Sequence, residues 1–467
     1  MRRLYTEAGG FRAVEQNVKT DARHKHASAA GVFDESFNTV NQYCLARIVE
    51  ASKTIEIAAS VDLVDADSGA LLLAAGQSVS PELRERLLRR KLRKPLEACL
   101  VAKNGVTIAD VVATAQARLD AEAAIRCLTA PHLRTVLEAL QSLTLEGPIQ
   151  LLLTSAKATN SAHFEHSVKV ALVTAGLVAQ AQAGSVAEAA LAGLVHDVGE
   201  LYVNPEYLYT TRPLSLTEYR HVIAHPCIGA LALAQTTSYP STVVRAVEEH
   251  HERMDGTGYP RQLAGESLSR LSRYLAVAEL VVRLLATNKD NPLARAGLAL
   301  RLVAGEFAPE SVDAYLHLAH QSGMPLDIPQ SFQPAAGAAF TLSVRDTLSQ
   351  AFGEARLLSR DKWFSASERA VIENAHTALE RLHCALHATG VVDYYEQPVS
   401  GDEHSAEIFL DLDVVPREVV FRMHRLARHL RFACSEKSEL QERLTPLLAH
   451  LESQHPRSGA QGSVPVH

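Results

Sequence analysis

The sequence predicts a mainly α-helical protein with a small α+β module near its N-terminus and a further helical domain towards its C-terminus. Three observations carry this expectation. From about residue 110 to 322, Ala, Leu and Val recur at helical spacing in one segment after another. Ahead of them, TIEIAASVDLVDADSGALLLAAGQSV has strand-like runs on either side of the turn Asp67-Ser68-Gly69. Beyond them, GMPLDIPQSFQPAAGA, Gly323 to Ala338, breaks the periodicity before amphipathic helices resume.

In chain order, residues 1–44 are polar and aperiodic and are expected to lack a fixed structure of their own. Residues 45–110 form the α+β module, whose helix has Ser80 as cap and Pro81 at its first position. That helix should carry the basic run RERLLRRKLRK as a solvated face. Residues 111–322 make the central helical domain, where SLTE, Ser215 to Glu218, is a capping box and Ser241 is expected to cap the next helix. Residues 323–338 read as a linker, 339–454 as the C-terminal helical domain, and 455–467 as a disordered tail.

Composition narrows the function. With 467 residues, 47% of them hydrophobic, the chain can bury real cores. Its net charge of −7 argues against general binding to a nucleic-acid polymer. The six cysteines (Cys44, Cys99, Cys127, Cys227, Cys384, Cys434) show no CxxC and no framework spacing, so they are expected to be reduced, intracellular thiols. No stretch approaches 18 apolar residues, and a cytoplasmic protein without a membrane span is expected.

Seven of the 21 histidines lie between His163 and His251. Their placement is more telling than their number. His166 in FEHSVKVA, His196 and Asp197 closing the apolar helix LAGLVHDVGE, His225 before a proline in IAHPCIG, and His250 and His251 in EEHHER sit at helix ends, where side chains from separate helices can converge. A single helical histidine is ordinarily a hydrogen-bonded or half-exposed residue. Taken jointly, imidazoles with a carboxylate, and no cysteine pattern of a structural zinc site, are what iron, manganese or zinc accept. So many ligands exceed the needs of one ion, and Asp197 is the natural carboxylate to bridge two.

These stretches, followed by DGTGYP at 255–260, resemble the HD-GYP branch of the HD-domain phosphohydrolases in order and helical setting. The resemblance covers about residues 130–285. It implies an all-helical metal-dependent hydrolase with two or more divalent ions, iron or manganese, held by His166, His196, Asp197, His225, His250, His251 and Glu279. It also implies hydrolysis of cyclic di-GMP to pGpG or GMP, with His196 and Asp197 catalytic and Gly258, Tyr259, Pro260 and Arg273 towards the substrate. The expected partner is a cyclic dinucleotide, with room for protein partners on the C-terminal helices and for a homodimer.

Departures from the family pattern pull the other way. Glu200 stands where the family's HDxGK has lysine, Thr210 and Thr211 replace a common lysine-proline, and VADxFDAL becomes VAELVVRL. Glu200 is therefore expected to repel a phosphate, and Glu200→Lys to raise activity. A metal-bound but weakly active partner-binding module, or a hydrolase of another phosphorylated nucleotide, stay open as alternatives. His163 and His221 lie one turn before His166 and His225 and could face the same cavity.

Overall fold

The computed structural model describes residues 39–88, 90–210, 212, 214–288, 290–327, 334–396, 406–433 and 438–454. Most of the expected N-terminal segment and the whole expected tail lie outside them. The chain opens with α1 (Gln42–Ala51), capped by the Asn41 side chain. Strands β1 (Ile57–Ala59), β2 (Leu63–Val64), β3 (Leu71–Leu73) and β4 (Leu100–Ala102) follow, interrupted by α2 (Pro81–Leu87) and α3 (Leu96–Cys99). β1 pairs with β4, and β2 with β3, both antiparallel. The β2–β3 turn is held by Asp65, whose Oδ1 accepts the N–H groups of Asp67 and Ser68.

Then come α4 (Ile108–Ala121), α5 (Ala123–Thr129), α6 (Leu133–Gln141), α7 (Gly147–Thr159), α8 (Ser161–Ala181) and α9 (Val186–Val195), a 3₁₀ turn at Val198–Tyr202, and α10 (Pro205–Leu208). α11 (Leu216–Ile223), α12 (His225–Thr236), α13 (Ser241–Glu249), α14 (Arg270–Thr287), α15 (Pro292–Arg301) and α16 (Pro309–Gln321) complete the central unit. The last helices are α17 (Pro334–Ser359), α18 (Ala366–Ala388), α19 (Val391–Glu396), α20 (Ala406–Ala433) and α21 (Ser438–Glu452). The mainly helical class with a few N-terminal strands is what the sequence predicted. No described helix is long and apolar enough to cross a membrane.

One buried apolar core runs from Val40 to Leu318, so the N-terminal strands share it with the central helices. A second core gathers Leu302 and Val303 with residues from Val344 to Leu451. Several local expectations are corrected. The basic helix stops at Leu87, leaving most of the Arg84–Lys94 run outside it. Ser80 precedes that helix without a side-chain cap bond. Pro240, not Ser241, precedes α13, whereas the Ser215–Glu218 capping box forms as expected. The expected linker turns helical at Pro334, because a proline disrupts a helix interior but suits a first turn, where its missing N–H is not needed.

α20 joins the two cores through charge. Buried Glu306 accepts from Arg422 Nε at 2.8 Å and from Arg425 Nη2 at 2.8 Å. Burial alone would raise its carboxyl, but Arg422, Arg425 and Arg253 outweigh burial and hold it down at about 2, against an ordinary 4.5. A depressed carboxyl stabilises fully above its unfolded pKa and loses that contribution as pH falls through the folded one. Glu306→Gln should therefore cost about 3 kcal/mol at pH 7, and the gap to wild type should close between pH 4.5 and about 2. Denaturant unfolding of both proteins at pH 7 and at pH 3 checks this; equal stability at pH 7 would remove the clamp from the account.

Candidate metal centre

Each polar side chain of the site is delivered by a helix end or by one turn of a helix facing it. His166 lies near the start of α8, and His196 directly follows α9. Asp197 precedes the 3₁₀ turn, His225 opens α12, His250 and His251 follow α13, and Glu279 lies within α14. The ends of α9 and α13 and the start of α12 meet because two glycines let the backbones touch. A Cβ on Gly199 would fall 2.0 Å from the His225 carbonyl oxygen and 2.7 Å from Gly229 N.

The structure brings all seven ligand-type residues together around Asp197. Its Oδ2 lies 2.8 Å from His196 Nε2 and 3.9 Å from His166 Nε2. Glu279 Oε2 closes that side, 2.8 Å from His166 Nε2 and 3.2 Å from His196 Nε2. The other oxygen, Oδ1, lies 3.4 Å from both His225 Nε2 and His250 Nε2, and those two nitrogens are 3.3 Å apart. His251 completes this second quartet. Two four-residue groups thus share one carboxylate, each with donor atoms within 4.8 Å of one another.

The tautomers are fixed by the main chain. Nδ1 of His196, His225 and His250 each lies against a carbonyl three residues back, Gly193 O at 2.8 Å, Val222 O at 2.8 Å and Val247 O at 2.6 Å. Only a donor can face a carbonyl, so each Nδ1 carries hydrogen and Nε2 is the nitrogen that faces the carboxylates and could ligate a metal. Converging ring nitrogens and carboxylate oxygens call for a cation. Buried His196 Nε2 and Asp197 Oδ1 also lack any hydrogen bond of sound geometry, despite their close neighbours. These nitrogen and oxygen donors, with no thiol among them, fit a divalent metal.

Without a metal, the carboxylates draw protons onto the imidazoles instead: against the pull of burial, Asp197 and Glu279 hold His196 well above its ordinary value. Burial disfavours charge on Asp197, yet His196, His225 and His250 outweigh it and hold the carboxyl well below its usual range. Glu279 is held low in the same way by His166 and His196. Burial, then His250 and His225, keep His251 well below the ordinary imidazole value, so it presents a neutral ring.

The DGTGYP loop lies alongside. The Glu252 carboxylate pins it, accepting from Arg261 N at 2.7 Å and Leu263 N at 3.0 Å. Asp255 Oδ1 accepts from Thr257 N and Oγ1. Gly258 passes so close that a Cβ would fall 2.4 Å from Arg253 N, which explains glycine there. Tyr259, ahead of Pro260, stacks on His251 with ring centroids 4.6 Å apart, and its buried hydroxyl has no partner.

Arg273 does not join the site, contrary to expectation. Its guanidinium is held by Glu266 at 2.8 Å and Glu310 at 3.1 Å. Six residues before Glu279 on the same helix, it is ~9 Å away along the axis and turned to another face. Nor are the C-terminal helices wholly apart: Phe432 of α20 packs against the Tyr219, Ile223 and Tyr259 cluster, and His429 lies edge-on to Tyr259 at 6.5 Å. His163 Nδ1 lies 3.2 Å from Glu200 Oε2, a pairing that i, i+3 spacing to His166 hinted at only weakly. Arg212, twelve residues after Glu200, is bonded to Glu218.

Two quartets share an aspartate next to a histidine, on helix ends, and residues 153–306 match the HD domain family. The matched stretch holds the histidine motifs that resemble the HD-GYP branch. It is 29% identical over 277 residues to a cyclic di-GMP phosphodiesterase of Pseudomonas aeruginosa, a match covering 57% of this chain and 63% of the relative. It is 35% identical over 119 residues to a 3'3'-cGAMP-specific phosphodiesterase of Vibrio cholerae, covering 25% of this chain and 27% of the relative. A cyclic di-GMP phosphodiesterase of the same organism is 31% identical over 132 residues, covering 26% and 27%. The chain therefore spans under two thirds of each of these relatives.

Proposed function

We propose that this protein is a metal-dependent phosphodiesterase that hydrolyses cyclic di-GMP to pGpG or GMP, using two or more divalent ions, iron or manganese, held by the seven residues above. The observation that carries this reading is the division of Asp197, whose two oxygens face separate sets of nitrogen donors. Metal ions held there would polarise a phosphodiester and activate water, the chemistry that two-metal hydrolases share. The chain's own part is to fix the geometry. Carbonyl groups lock three imidazoles with Nε2 inward, Asp197 spans the two quartets, and the loop pinned by Glu252 brings Tyr259 against His251. The cyclic dinucleotide phosphodiesterases among its relatives support the substrate class. The domain limits read from the sequence, with a C-terminal helical unit from residue 339, belong to the same proposal. Turnover of cyclic di-GMP by protein reconstituted with iron or manganese, abolished by a chelator, is the expected result; full metal loading without turnover would favour a regulatory module, the reading that Glu200 recommends.

For Glu200 we infer a structural role beside the expected one. Its side chain is only 8% exposed and sits against His163, while its carbonyl accepts from Arg47 Nη1 at 2.7 Å. A lysine there would bring a buried ammonium up to His163 and Arg47, beside a hydrogen-bonding group that has lost its acceptor. Glu200→Lys should therefore lower stability by about 1–3 kcal/mol and reduce activity. Melting temperature and turnover at matched metal content test this; a lysine variant equally stable and faster would restore the simple repulsion picture.

A further inference from the structure

A cyclic dinucleotide carries two phosphodiesters, and a metal cluster that cleaves one leaves the other to be recognised by the protein. Position 200 carries no cation, so the arginines near the site bear on this question. On α20, Arg422 and Arg425 are engaged by Glu306, Arg417 by Asp413, and Arg431 by Glu452. Arg283 and Arg428 have no carboxylate within ion-pairing distance among the described residues; nor does Arg253, whose guanidinium is held by the His250 and Glu252 carbonyls. Arg283, one turn beyond Glu279 on α14 and so on the same face, lies 4.6 Å over the Phe421 ring. Arg428 lies 5.8 Å over the Tyr219 ring, and its Nε is buried without a partner.

The surroundings of Arg428 lead back to the metal centre. Next to it, His429 has a buried Nε2 without a partner and meets the edge of Tyr259, which stacks on His251. Arg428 Nε, His429 Nε2 and the Tyr259 hydroxyl are thus all buried without a hydrogen-bond partner among the described residues. Groups of this kind cost stability unless something binds them. Burial, with the charges of Arg425 and Arg428, pushes His429 down to about 3, so its ring is neutral in a positive field.

We propose that Arg283 and Arg428 form an anion subsite beside the metal centre, which takes the second phosphodiester of a cyclic dinucleotide and makes α20 part of the substrate site. This rests on the phosphodiesterase reading. It places the phosphate-facing charge on α14 and α20 rather than at position 200. A guanidinium is suited to the task, since its planar donors match phosphate oxygens.

The test compares Arg428→Gln, Arg428→Lys and Arg283→Gln with wild type at matched metal content. Cyclic di-GMP and bis(p-nitrophenyl) phosphate, which has a single phosphodiester, serve as the two substrates. Each glutamine variant should raise KM for cyclic di-GMP at least tenfold more than for the small diester, and Arg428→Lys should recover much of the loss. Equal losses on both substrates would reduce the arginines to packing residues, and an unchanged KM for cyclic di-GMP would overturn the subsite while leaving the proposed activity intact. If wild type cleaves neither substrate, calorimetric binding of cyclic di-GMP decides. Tenfold weaker binding by Arg428→Gln would keep the subsite and discard the activity; no binding by wild type would discard both.

Discussion

Asp197→Ala is expected to lose at least a thousandfold in phosphodiesterase turnover and to retain less than one metal ion per chain. No other residue belongs to both quartets, so its removal takes a ligand from each at once. Metal affinity depends on complete ligand sets, and a thousandfold loss corresponds to about 4 kcal/mol of transition-state stabilisation. The fold should survive, because His196, His225 and His250 are anchored to main-chain carbonyls rather than to Asp197. Binding to the native state raises stability by RT ln(1 + [L]/Kd), or about 3–4 kcal/mol at 100 to 1,000 times Kd. Wild type should therefore melt later with metal and the variant should not. A variant that kept wild-type metal content and turnover would show that the shared carboxylate is incidental.

Gly199→Ala should cost at least a hundredfold in activity and about 1–3 kcal/mol in stability, although the new methyl touches no ligand side chain. The methyl would meet the His225 carbonyl oxygen at 2.0 Å and Gly229 N at 2.7 Å, and both are backbone atoms that no rotamer change can move. Relief requires the 3₁₀ turn and α12 to part by about an ångström, carrying Asp197 away from His225. Ligand sets tolerate distance errors of roughly 0.2 Å, and misplacement of about 1 Å in a reacting site costs about a hundredfold. An ion held by the quartet of Asp197, His225, His250 and His251 would be lost first. Titration with manganese, followed by turnover and a thermal melt, checks the claim. An alanine variant with unchanged metal content would mean that the two segments are less tightly coupled than their contact suggests.

The sequence carried the site further than it carried the fold's long-range contacts, and the physical reason is locality. His196 with Asp197, His225 before Pro226, and His250 with His251 are recognisable because ligand chemistry coincides with a helix end, a feature written in a few neighbouring residues. Glu279 lies mid-helix with no such local mark, and only the family resemblance pointed to it. Arg273 was misplaced because its position in the motif says nothing about Glu266 and Glu310, which hold it elsewhere. The clamp of Glu306 with Arg422 and Arg425 joins residues more than a hundred positions apart, and the amphipathic pattern of α20 shows that it has a buried face without saying what covers it. Helix starts misread at Ser241 and within Gly323–Ala338 reflect single prolines, which mark a helix start as readily as a break.

Metal stoichiometry tests the central claim most directly. Purified wild type would be stripped of metal, reconstituted with iron or manganese, freed of loosely bound ions, and submitted to elemental analysis beside Asp197→Ala. At least two ions per wild-type chain and fewer than one in the variant are the expected result. Less than one ion per wild-type chain, with the protein folded, would contradict a metal centre built on Asp197.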